Sequence, residues 1–419
     1  QGITVSLNAY GDATVITGQG TDTLDNIESV FGSKFNDLLV STATSSSYYV
    51  NSFKGYGGND IIIAGAGNDY LNGGDGADQL QGEAGDDNLI GGAGNDIING
   101  GLGVDTADYR TSMNALVVNL SSGIATGLGT DTLVGIENIL GGVRNDTLVG
   151  NALNNSLYGG IGWGSDILYG YAGDDVLDGG IGKDKMFGGA GADTYYIDNV
   201  GDVVTEVSSL GIDTVISAVG FTLGSYVENL TMTGVNATTG KGNSLANTII
   251  ASDAGSTIFG FNGVDNLVGG AGVDNIDGGY GNDFIDGKEG IDFAKFNSIN
   301  SAVTVTLSSG DGNSTGQGSD SILNIEGIKG SNQSDTFSLS GYTYYSAAYF
   351  GYTVYALGGA DHLTGGSYID YLDGGDGNDT INAGSGDDVL IGGNGNDYLN
   401  GESGSHDTVK FNASTAKIN

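Results

Sequence analysis

From Gly55 to Asp108 a nine-residue unit repeats six times without a gap, and every copy has aspartate in its sixth place. The copies read GYGGNDIII, AGAGNDYLN, GGDGADQLQ, GEAGDDNLI, GGAGNDIIN and GGLGVDTAD, with Asp60, Asp69, Asp78, Asp87, Asp96 and Asp105 as the acids. A short fixed period means stacked, equivalent pieces, none of which can bury its apolar face alone. The last three places form a brief alternation whose middle residue is Ile62, Leu71, Leu80, Leu89, Ile98 and Ala107 in turn. Such a triplet suits a very short strand with one side chain pointing inward. Two units then make a coil of eighteen residues with a turn at each edge, so equivalent turns recur in every second unit.

Glycines at places one, two and four allow positive φ and a tight turn that aims main-chain carbonyls inward. The sixth-place aspartate adds a carboxylate. Carbonyl and carboxylate oxygens together suit calcium, which takes about six to eight oxygen ligands. The pattern G-G-x-G-x-D-x-U-x, with U apolar, is that of a calcium-binding parallel β-helix. On these residues the chain resembles the RTX, or haemolysin-type, calcium-binding repeat proteins secreted by bacteria, among them surface-layer and adhesin-type members. The resemblance implies multiple calcium ions seated between stacked turns. One column would follow Asp60, Asp78 and Asp96, and another Asp69, Asp87 and Asp105.

Three further arrays follow. Residues 141–196 form a less regular second array, with Asp146, Asp166, Asp175, Asp184 and Asp193; it includes GGVRNDTLV and the degenerate GNALNNSLY. Residues 260–295 carry Asp265, Asp274, Asp283 and Asp292, and upstream GNSLANTII and ASDAGSTIF keep the phase without the acid, as metal-free coils would. Residues 356–419 carry Asp361, Asp370, Asp379, Asp388 and Asp397 and begin a further unit. The expected metal ligands are the sixth-place aspartates of all four arrays, with Asp37, Asp146 and Asp335 in imperfect turns left open. Between the arrays lie residues 1–54, 109–140, 197–259 and 296–355. Those opening at Ile3, Leu116 and Val303 each start with a period-two strand, pass a glycine turn and end in an Asx-rich turn. They are expected to continue the sheet as wider coils. The fold expected is therefore all-β: calcium-binding parallel β-roll (β-solenoid) arrays joined by wider β-solenoid coils, elongated.

The net charge of −39 would make a bare solenoid repel itself, and bound divalent cations would neutralise much of it. Without calcium an acidic, glycine-rich disordered chain is the competing state, because sites that do not preform couple metal binding to folding. The acidity argues against nucleic acid and anionic membrane surfaces as partners. Cysteine and proline are both absent. Metal would thus take the part that disulfides play in many extracellular proteins, and a chain of short strands is free of proline interruptions. No apolar run reaches the length of a membrane-spanning helix, so no membrane insertion is expected.

No catalytic constellation stands out. His362 and His406, the only histidines, fall at variable positions inside repeats, and there is no HExxH zinc-protease motif. The pairs Asp22 with Glu28, Asp131 with Glu137 and Asp320 with Glu326 recur at one spacing in three equivalent segments. Three copies suit a structural role, such as a further cation ligand or an edge charge, better than a single active site. An ice-binding threonine ladder is not expected, since the third place holds Gly57, Ala66, Asp75, Ala84, Ala93 and Leu102. Tyrosine clusters at Tyr342, Tyr344, Tyr345, Tyr349, Tyr352 and Tyr355 with Phe350, and again at Tyr48 and Tyr49 with Phe53. They read as filling of wider coils or, alternatively, as a contact surface for another subunit or a cell-surface glycan. The tail resembles the run-up to an inter-array segment and the head resembles where such run-ups lead, which points to a tandem-repeat neighbour or to end-to-end stacking.

The function expected is that of a non-enzymatic, calcium-dependent structural protein, exported by type I secretion to the extracellular space or bacterial cell surface. There it would self-associate as a homopolymer in a surface layer, filament or adhesin segment. The alternative is the non-catalytic RTX portion of a larger secreted enzyme such as a lipase, protease or alginate epimerase.

Overall fold

The strands are short because each repeat gives only three or so extended residues before the next glycine turn. In the computed structural model, which describes residues 1–411 apart from 9, 11, 18–19, 43–49, 208–209, 342 and 346–347, all regular structure is β and no helix occurs among the described residues. The chain divides into two compact units, Gln1–Asp213 and Thr214–Asn419.

In the first unit, consecutive strands alternate between two faces, and each pairs in parallel with the strand one coil away. Ile61–Ile63, Gln79–Ala84 and Ile97–Leu102 stack on one face, with Ile62 opposite Leu80 and Leu80 opposite Ile98. Tyr70–Asp75, Asn88–Ala93 and Thr106–Asp108 stack on the other, with Leu71 opposite Leu89 and Leu89 opposite Ala107. All six inward residues are fully buried. The core is therefore a thin double row of side chains, two per coil. The second unit repeats the scheme, with Leu267 over Ile285 on one face and Ile258, Ile276 and Ala294 on the other, all fully buried.

The inter-array segments do continue the sheet, but they widen it on one face only. Thr130–Val134 pairs in parallel with Ile97–Leu102, as a normal coil would. Ile124–Thr126 then pairs antiparallel with it, and Val117–Asn119 pairs antiparallel with Ile124–Thr126 before the parallel stack resumes at Thr147–Val149. On the opposite face Thr106–Asp108 meets Asn138–Leu140 directly. The links at Gly123 and Gly127 are too short for a crossover, and a short turn can only join antiparallel neighbours. The same excursion occurs at Thr4–Leu7, Ala13–Thr17 and Gly20–Leu24, and at Thr304–Ser308, Asp311–Thr315 and Ser319–Leu323.

In the second unit, Asn229–Lys241 bends through both faces: Leu230 pairs with Ile249, and Gly240 with Ile258. Of the aromatic clusters, Phe53 and Tyr352 fill the core, and the Tyr352 hydroxyl donates to the Ser340 carbonyl and accepts from Gly310 N–H, both at 3.0 Å. Tyr355 is exposed. Tyr48, Tyr49, Tyr342 and the side chains of Tyr344, Tyr345, Tyr349 and Phe350 lie outside the described residues, as does the tail beyond Phe411.

Candidate metal centre

The stacking register brings the sixth-place residues of successive coils into line. Asp60 N–H donates to Asp78 Oδ1 at 2.7 Å, and Asp78 N–H to Asp96 Oδ1 at 2.9 Å. A second line runs Asp69 to Asp87 to Asp105, at 2.7 and 2.8 Å. Every sixth-place aspartate named from the sequence accepts such a bond. In the second array these are Asp166 and Asp184, with Asp175 and Asp193 alongside. The third has Asp265 and Asp283, with Asp274 and Asp292. The fourth has Asp361, Asp379 and Asp397, with Asp370 and Asp388.

The lines run on past the nonapeptides, through residues whose place the sequence did not reveal. Asp96 donates to Asp131 and Asp105 to Glu137; Asp283 donates to Asp320 and Asp292 to Glu326. The recurring acid pair thus has a physical meaning: its first member ends one line and its second ends the other. Asp184 donates to Asp202, Asp193 to Asp213 and Asp388 to Asp407. Insertions hide Asp213 and Asp407 from a nine-residue count, whereas Asp202 keeps the count in a unit, IDNVGD, without glycine at places one, two and four. At the other ends the metal-free coils join by Asn247 and Ser256.

The second carboxylate oxygen separates two kinds of turn. In what we term open turns, Oδ2 of Asp60, Asp69, Asp78, Asp87, Asp96 and Asp105 is buried with no hydrogen-bond partner. The same holds for Asp175, Asp184, Asp193, Asp265, Asp283, Asp292, Asp361, Asp379 and Asp388. In closed turns the place-two N–H, four residues back, donates to that oxygen: Gly142 to Asp146 at 2.7 Å, Gly270 to Asp274 at 2.8 Å, Ser331 to Asp335 at 2.7 Å and Gly366 to Asp370 at 2.6 Å. Ser33 does the same for Asp37, and Asn151 and Asn243 serve Asn155 and Asn247.

Backbone conformation decides which kind forms. Every open turn has place two at positive φ, and non-glycine residues accept it there, as at Tyr56 (76°), Glu83 (79°) and Leu357 (79°); no closed turn does. Place one, by contrast, holds a small residue: glycine in most open turns, and alanine at Ala64, Ala356 and Ala383. A Cβ on Gly73 would come within 2.3 Å of Asp78 Oδ2 and 2.7 Å of the Gly91 carbonyl oxygen. The same convergence occurs at Gly82, with Asp87 Oδ2 at 2.0 Å and the Gly100 oxygen at 2.6 Å. The turns at Gly73 and Gly82 therefore gather an orphaned carboxylate oxygen and a main-chain carbonyl of the next coil around space that a side chain would fill.

Burying these carboxylates disfavours their charged form. Burial pushes Asp78 and Asp87 up to about 7, against the opposing pull of the N–H bonded to each, and the neighbouring acids of each line add to the rise. Burial likewise takes Asp265 and Asp361 up to about 7, and Asp292 to about 8. Buried, unpartnered anionic oxygens in an all-oxygen setting fit a hard divalent cation.

No comparable set-up for catalysis occurs among the described residues. The string GNSTG at Gly312–Gly316 matches a serine-hydrolase elbow in letters, but it runs through the antiparallel strand Asp311–Thr315, and Ser314 is buried, donating to Asp320. A nucleophile elbow needs an exposed serine between strand and helix. Both histidine side chains are exposed.

A family model of the RTX calcium-binding nonapeptide repeat, four copies long, matches residues 47–80, 72–107, 140–163, 161–195, 242–274, 259–294, 355–390 and 373–405, more than half of the chain in all. No curated protein matches it.

Proposed function

Because the chain belongs to the RTX calcium-binding nonapeptide-repeat family, whose repeats bind multiple calcium ions and are typical of secreted extracellular bacterial proteins, we propose that it is a calcium-folded structural protein of the cell exterior. Calcium is held by the sixth-place aspartates, those of the open turns foremost, and the chain assembles with copies of itself into a surface layer, filament or adhesin segment. The observation that carries this reading is the lines of buried, unpartnered Oδ2 atoms.

When bound, calcium supplies the positive charge that these oxygens lack. The chain's own residues do the rest: small place-one residues limit crowding, the N–H ladder orients each carboxylate, and the parallel backbone pairing sets the spacing between coils. Low calcium inside a cell keeps such a chain unfolded and fit for type I export. Extracellular modules bind at about 0.1–1 mM, so calcium outside folds it. With a net charge of −39, surface carboxylates also give calcium a means of bridging neighbouring copies. No catalytic role is part of this reading.

Electron microscopy of the purified protein with calcium and with chelator tests it. Ordered sheets or fibres in calcium alone are expected. Dispersed particles under both conditions would remove self-assembly and leave a calcium-folded scaffold.

A further inference from the structure

We infer that the second array is closed by a calcium site of different make from its repeat turns, built from the carboxylates of Asp193, Glu206 and Asp213. The inference rests on the calcium reading above and adds to it two ligands that lie outside any nonapeptide.

One carboxylate oxygen from each residue lies within 4.8 Å of the others, and all three residues are buried. Asp193 is only 1 % exposed. Its Oδ1 accepts from Asp175 N–H at 2.8 Å, while its Oδ2 has no partner. Asp213 Oδ1 accepts from Asp193 N–H at 2.9 Å, so it carries the line one coil beyond the last repeat.

Glu206 arrives by another route. The register that pairs Phe187 with Thr205 sets Glu206 opposite Gly188, the position at which a regular coil would have its own place-one glycine. One coil earlier, a Cβ on Gly170 would meet Asp175 Oδ2 at 2.2 Å and the carbonyl oxygen of Gly188 at 2.8 Å. On Gly188 it would meet the Tyr195 hydroxyl at 2.1 Å, Asp193 Oδ2 at 2.3 Å and Glu206 Oε1 at 2.6 Å. A carboxylate oxygen has taken the station of a carbonyl oxygen. Glu206 is held there by the Tyr195 hydroxyl, which donates to Oε1, and by Gly189 N–H, which donates to Oε2 at 3.2 Å. Both partners fix the carboxylate without bringing positive charge, and neither Asp193 nor Glu206 makes an ion pair among the described residues.

Three acidic groups sharing one buried space repel one another when ionised, and a shared cation relieves that repulsion. The acidic donors are all oxygen, with no imidazole or thiolate, which selects a hard ion over a transition metal. Oxygens about 2.3–2.6 Å from one calcium stand no more than about 5 Å apart, so the three groups can share a single ion. A third carboxylate in place of a carbonyl makes this the most strongly charged cage of its array.

The test is an anomalous-difference map from crystals of the full chain grown in calcium and exchanged with terbium, beside the same map for Glu206→Gln. The expected result is a peak bounded by Asp193, Glu206 and Asp213 that weakens or vanishes in the variant while the peaks in the repeat turns stay. Peaks in the turns with none at this place would overturn the inference alone. A peak unchanged by Glu206→Gln would remove Glu206 from it. A map without peaks anywhere would overturn the calcium reading of the whole chain.

Discussion

Asp78 and Asp335 occupy the same place in the same kind of coil, and each accepts at Oδ1, Asp78 from Asp60 and Asp335 from Val303. They differ in the other oxygen. Asp335 has it bonded to Ser331 N–H, whereas Asp78 has it buried and bare. The cause is one backbone dihedral: Gly74 stands at φ 108° and turns its N–H away, whereas Ser331 does not. The closed turn is complete in itself, and Asn155 and Asn247 show that an amide serves there as well as an acid. An open turn is incomplete without a cation. A repeat can therefore be spelled almost alike and either depend on metal or dispense with it.

The largest effect should come from closing the space in an open turn. Gly76 has φ 156°, and a Cβ there would lie 1.7 Å from the Gly58 carbonyl oxygen. Gly76→Val should cost more than about 2 kcal/mol and lower the melting temperature of the calcium-loaded protein. Gln333→Val, at the same place of a closed turn, should shift it by less than about 0.5 kcal/mol. Equal losses would erase the distinction.

Removing one open-turn charge should come next, and its sign should depend on calcium. Asp78→Asn is expected to raise the calcium needed for half-folding by about tenfold, equivalent to about 1.4 kcal/mol. In chelator at neutral pH the same change should make folding less unfavourable, because it removes a buried charge. Calcium titration by circular dichroism and a urea melt in chelator read the two arms.

Acid should partly stand in for metal. Asp78, Asp87 and Asp361 rise to about 7 in the folded chain, above their unfolded range near 4. The folded form then binds more protons between those values. The support this lends the metal-free fold is full below about pH 4 and is lost as pH rises through about 7. Chelated protein should show more β-structure at pH 5 than at pH 7.5. Calcium-loaded protein should need more calcium at the lower pH, since protons compete for the same oxygens. The smallest effect belongs to Asp335→Asn, which should leave both the calcium midpoint and the melt within about 0.5 kcal/mol.

Much of this was legible in the spelling. The nine-residue period placed Ile62, Leu71, Leu80 and Leu89 in the core and aligned Asp60 with Asp78 and Asp96, because side chain and coil periods are set by local geometry. Three features were not legible. The antiparallel excursion at Ile124–Thr126 depends on which strands a short turn can join, and the alternation of the segment fits either pairing. The closed form at Asp274 is invisible because GGAGVDNID has all three glycines; its turn stacks on one with Ala254 at place four, and Gly270 stays out of positive φ. Glu206 was missed because it keeps the count but stands at place one, where the pattern has glycine, and Asp213 because two extra residues break the count; the register across coils reveals both places.

The central claim is that cations in the open turns complete a core too thin to hold the coils together. Calcium content and far-ultraviolet circular dichroism, followed together while chelator is titrated in at pH 7.5 and calcium is then returned, test it most directly. The account predicts that β-structure is lost as the metal leaves and recovers as it returns. A β-signal and melting temperature unchanged after the last calcium is gone would contradict it.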